Sequence, residues 1–166
     1  MTVVPLPAPY RVRTLLEDLL GREVEVEPAP PWSPLRADEG TLAVFVDDDT
    51  VPRTVAVLDP RLSAYLAAAI GLVPARTARR AVADGELGDD LEENLHEVLN
   101  VLASVLNGED SPHVRLYTVH HLGGDATPEV LTLGGELGRR LDLAVHLSGY
   151  GGGRLGLVGV TSAVPR

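Results

Sequence analysis

The chain has 166 residues, enough to fill one hydrophobic core, so a single domain is the default. Apolar residues make up 45% of it, which excludes a disordered polymer, and Phe45 and Trp32 are its only phenylalanine and tryptophan. All 14 basic residues are arginines, set against 24 acids; the formal charge of −10 argues against nucleic acid and anionic membrane as partners. Absence of cysteine excludes disulfides, thiolate catalysis and Cys-ligated zinc.

Residues 1–9 are proline-rich and predict a flexible N-terminal arm, leaving 10–166 as the single domain. Neither the order of a secretory signal nor an apolar stretch near 18 residues is found, so the cytoplasm is the expected location. In YRVRTLLEDLL, Val12, Leu15, Leu16, Leu19 and Leu20 recur at helical spacing, and Gly21 is placed to end the helix. REVEVE alternates as a strand does, before the stiff link PAPPWSPL. TLAVFV, residues 41–46, and TVAVL, residues 54–58, predict strands joined by an acidic turn. Pro60 opens a helix that Gly71 closes, and a shorter helix is expected over 74–84.

A long helix follows within 88–110, with Asp89 or Asp90 as its expected cap and Gly108 at its end. Strands are expected over 113–120, 141–150 and 154–160, the last two separated by a glycine run, with a further short strand near 129–133. Together these predict an α/β or α+β fold: a mixed, largely antiparallel sheet packed against long helices, with two related halves.

The long helix has two unlike faces. Leu91, Leu95, Val98, Leu99, Leu102, Val105 and Leu106 share one stripe, which is core. Glu93, His96, Glu97, Asn100, Ser104 and Asn107 fall opposite. Asparagine costs roughly 0.5 kcal/mol against alanine inside a helix, so stability does not ask for it there. Residues 81–110 carry many acids and no arginine, so a partner meeting this surface should bring basic groups or a cation.

Glu97-Val98-Leu99-Asn100, on a helix preceded by paired strands and followed by a strand, resembles the CheC/CheX group of chemotaxis phosphatases. The resemblance spans roughly residues 11–160. It implies a phosphatase-like signalling protein that docks on the receiver domain of a response regulator and promotes hydrolysis of its phospho-aspartate. Glu97 and Asn100 match the family's glutamate and asparagine and would be catalytic; Glu93, His96 and Ser104 would contact the partner. Glu93 stands where the family has Asp or Ser, Ser104 where glycine is frequent, and Gly123 where a distant proline is expected. No second Glu–Asn pair is found, which is closer to the one-centre CheX type. The resemblance implies magnesium in the partner receiver, no tightly bound cofactor or metal here, and a monomer or homodimer.

The main alternative is a non-catalytic adaptor of the same fold, binding a chemotaxis, motility or two-component partner. Histidine-based metal chemistry fits less well. His120 and His121 are neighbours on a strand and point to opposite faces, while Glu93, His96 and Asn100 lack the HExxH pattern. GYGGGRLG lies between strands and lacks the lysine and hydroxyl of a phosphate-binding loop.

Overall fold

A computed structural model describes residues 4–32, 39–135 and 139–160. The first helix, α1 (Pro9–Leu20), buries Val12, Leu16 and Leu20. It ends at Gly21, whose φ of 64° is left-handed and whose N–H returns to the Glu17 carbonyl oxygen. Before it, Val4 and Pro7 are buried, and the Arg139 guanidinium donates to the Val4 carbonyl oxygen.

In β1 (Val24–Pro28) buried Val24 alternates with exposed Glu25 and Glu27. By contrast β2 (Thr41–Val46) is buried at every position, and β3 (Pro52–Leu58) is buried from Thr54 onward. Such unbroken apolar runs belong to strands covered on both faces. α2 (Pro60–Ile70) is buried without interruption from Leu62 to Ala69, its alanines allowing close packing on the sheet. α3 (Ala75–Asp84) and α4 (Asp89–Leu106) follow, then β4 (Arg115–His121), α5 (Pro128–Gly134), β5 (Arg140–Leu147) and β6 (Gly151–Gly159).

The six strands form one sheet in the order β1-β5-β6-β3-β2-β4, and every neighbouring pair is antiparallel. Exchanging β1 with β4, β2 with β5 and β3 with β6 leaves that order unchanged, and each half begins with a helix, α1 or α4. The expected two related halves are thus present in the topology, as is the largely antiparallel α+β architecture. One face carries α1 to α4 over Phe45, Leu58, Leu143 and Leu157. On the other, Val130, Leu131 and Leu133 of α5 cover Leu42, Val44, Val55 and Val57.

Two ionic contacts brace this second face. Arg140 holds Asp142 through two short bonds, Nε to Oδ2 at 2.7 Å and Nη2 to Oδ1 at 2.8 Å, and also donates to the Trp32 carbonyl oxygen. The turn after β2 is organised by buried Asp47, which accepts from the amides of Asp49 and Val51 and from Arg53. Burial opposes ionisation of Asp47, but the Val51 amide and the Arg53 guanidinium outweigh it and hold the carboxyl below its ordinary range.

Three local expectations are corrected. Gly88, not Asp89 or Asp90, precedes α4 as its cap; Asp89, Asp90 and Glu92 instead place negative charge in the first turn, against the positive end of the helix dipole. The segment 129–133 is helical, not a strand, because Thr127 caps it with a hydroxyl that accepts from the Val130 amide, and Pro128 suits its first turn. The glycine run lies inside β6: Gly151 and Gly152 pair with Leu147 and His146. A Cβ at Gly153 would stand 2.5 Å from Asp59 Oδ1 and 2.6 Å from the Leu62 nitrogen, so glycine here lets α2 start directly on the sheet. His146, on β5, is exposed.

Candidate functional site

α4 is held on three sides. Leu91, Leu95, Val98, Leu99 and Leu102 are buried, each such side chain contributing roughly 1.5–3 kcal/mol. Asn94 Nδ2 donates to the Ala67 carbonyl oxygen at 3.0 Å, tying α4 to α2. At the far end Asn107 accepts from the Val114 amide at 2.8 Å and donates to the Val114 carbonyl oxygen at 3.0 Å. Asn107 therefore fastens the α4–β4 connection, and the polar face loses it as a free group.

Glu93, His96, Glu97, Asn100 and Ser104 are all exposed, on the side of α4 away from the core. The structure brings these five expected site residues onto one surface. Glu97 and Asn100 stand three residues apart, about 60° around the helix and about 4.5 Å along it. Among the described residues neither side chain has a hydrogen bond or ion pair, so both are available to a visiting molecule. An acid and an amide so presented can take a partner's cation and orient a water molecule, the amide both donating and accepting.

Gly123, the residue where a proline was expected, lies beyond β4 with φ 81°. His120 and His121 point to opposite sides, as expected: His120 Nε2 meets Thr118 Oγ1 at 2.9 Å, whereas His121 Nε2 reaches Glu92 Oε1 at 3.4 Å. The Glu92–His121 pair was not anticipated. Glu92 sits between the two faces of α4, and nothing in the spacing ties it to a residue on another element. Beside it, at the N-terminal end of α4, opens a cleft of about 430 Å3. A second hollow, about 480 Å3, lies against β1, β5 and β6 and is lined by Glu25, Glu27, Asp59, Arg61, His146 and Arg154. Burial pushes the Asp59 carboxyl above its ordinary range, although the amides of Leu62 and Arg154 donate to it. Among the described residues no group of three or more His, Asp or Glu side chains is arranged to hold a metal ion, and no helix is long and apolar enough to cross a membrane.

No family model and no curated protein matches the sequence. Solved structures do match in fold. The FliM middle domain from Vibrio alginolyticus superposes with a TM-score of 0.59 at 10% identity, over 90% of this chain and 86% of that one. A chain of the FliM–SpeE complex from H. pylori gives 0.60 at 9% identity, over 91% and 80%. A chemotactic CheC-like protein from Shewanella oneidensis MR-1 gives 0.50 at 13% identity, over 92% and 95%. Paired with a sheet order that is symmetric about its centre and a long helix heading each half, these likenesses establish that the chain has the CheC-like fold shared with the FliM middle domain.

Proposed function

We propose that this protein docks through the polar face of α4 on the receiver domain of a phosphorylated response regulator, in the cytoplasm, and promotes hydrolysis of its phospho-aspartate. The observation that carries the reading is the joint exposure of Glu97 and Asn100, unpartnered among the described residues, on a helix anchored by core packing and by Asn94. An acyl phosphate is already activated, so no nucleophilic side chain is required; catalysis reduces to placing water in line with phosphorus. Asn100 orients that water. Glu97 engages a basic group of the partner and fixes the approach, with Glu93, His96 and Ser104 extending the contact. The magnesium ion belongs to the receiver, and this chain holds no tightly bound cofactor.

The test is the decay of a phosphorylated receiver from the same organism, followed with and without the protein. Asn100→Ala is expected to lower the acceleration on the order of 100-fold, with the melting temperature unchanged. A variant that keeps full acceleration overturns the assignment.

A second reading is a non-catalytic adaptor of the same fold. Ser104 and Gly123 depart from the catalytic pattern, and the FliM likeness, including a chain solved in complex with SpeE, is stronger than the CheC-like one. Saturable receiver binding without faster decay selects it.

A further inference from the structure

The cleft at the N-terminal end of α4 lies outside the face assigned above and falls within the usual size range of small-ligand sites. Pro60, Ala81, Val82, Leu87 and Leu122 give it apolar walls. Glu39, Glu86 and Glu92 bring three carboxylates to it, against one imidazole, that of His121 beside Glu92. Apolar walls with an excess of carboxylates suit a cation on an apolar stem, since the stem covers the walls while the head meets the acids.

A second observation, independent of the acids, points the same way. Thr41 and Ser63 also line the cleft and are only 1% and 2% exposed. Their hydroxyl oxygens lie 2.9 Å apart. Ser63 Oγ has one proton and donates it to the Asp59 carbonyl oxygen at 2.8 Å. The proton between the two hydroxyls is therefore that of Thr41. Thr41 Oγ1 keeps its acceptor lone pairs, with no donor to them among the described residues. The hydroxyl is satisfied by its bond to Ser63, and its open lone pairs can in addition accept an N–H from an occupant of the cleft.

We propose that this cleft binds a primary ammonium or guanidinium group on a short apolar stem. The head donates to Thr41 Oγ1 and is balanced by Glu86 and Glu92, while the stem lies against Ala81, Val82, Leu87 and Leu122. Such a group is found on a free alkylamine and equally on a lysine or arginine side chain of a docked protein. The inference stands apart from the phosphatase reading.

Butylammonium chloride is the probe, followed by backbone amide shifts in the NMR spectrum of the whole chain, with 1-pentanol as its neutral counterpart. Saturable shifts at Leu87, Leu122 and Gly123 are expected, with a dissociation constant on the order of a millimolar for so small a ligand. Pentanol should bind far more weakly. Thr41→Val should weaken butylammonium about tenfold and Glu92→Gln about threefold, while Glu129→Gln on α5 should change nothing. Equal binding of pentanol, or wild-type affinity in folded Thr41→Val, overturns the proposal. If Thr41→Val does not fold, Glu86→Gln and Glu92→Gln decide, and wild-type affinity in both overturns it. Titrating a receiver with the cleft saturated by butylammonium separates the two sources: displacement assigns the site to a partner's side chain, and undisturbed docking to a free amine. A receiver that fails to bind counts against the phosphatase reading alone, because the amine shifts are read without it.

Discussion

The side chain of Asp47 shows how one residue ties a turn to solution conditions. Its folded carboxyl titrates below the ordinary value of 3.8, despite burial, because two backbone amides and Arg53 favour the charged form. The unfolded chain therefore takes up this proton first as pH falls. The stabilisation is complete at neutral pH and is lost as pH drops from about 3.8 through the depressed folded value. Asp47→Asn should cost about 1.5 kcal/mol or more at pH 7 by removing the charge-assisted bond to Arg53, and markedly less at pH 3. Urea unfolding at the two pH values measures the difference. At the same scale, the sequence shows that Glu97 and Asn100 share a face, because helical spacing alone decides it. It does not show that Asn107 is engaged by Val114, that Glu92 meets His121, or that Thr41 meets Ser63. Those pairs join different elements or loops, and residue spacing carries no information about them.

Among the elements, α4 has both its faces assigned by the 3.6-residue period, and β2 keeps the bounds 41–46 expected from its apolar run. Leu99 is fully buried while its neighbour Asn100 is exposed, which separates stability from function along one helix. Leu99→Ala should cost about 2–5 kcal/mol in denaturant unfolding, and Asn100→Ala no more than about 0.5 kcal/mol. A large loss in Asn100→Ala would mean that the face is structural. α5 escaped notice for a physical reason: Val-Leu-Thr-Leu has the composition of a strand, and its helix depends on the Thr127 cap and Pro128, signals of only two residues. The glycines of β6 misled in the opposite direction. Glycine normally weakens a strand, but here the close approach of Asp59 and Leu62 leaves no room for a side chain at Gly153.

Among the described residues, the sheet of the whole molecule ends in two outer strands, β1 and β4, that differ in chemistry. β1 presents Glu25 and Glu27 and ends in Pro28, a combination that discourages another strand from adding, whereas β4 presents Arg115 stacked on Tyr117. Replacing both Glu25 and Glu27 by valine should promote edge-to-edge association, seen as a rise in apparent mass by light scattering; an unchanged mass would show that the charges are not the protecting element. The two related halves are legible from chain order alone, but their relation by exchange of β2 with β5 requires the sheet. That exchange has a further consequence. Strand for strand the sheet order is duplicated, yet α1 offers no counterpart of the exposed pair: Glu17 is followed three residues on by Leu20, which is buried. A body whose strand order is symmetric is thus one-sided in its chemistry, and the docking proposed above predicts one receiver per copy, a ratio that titration calorimetry would read.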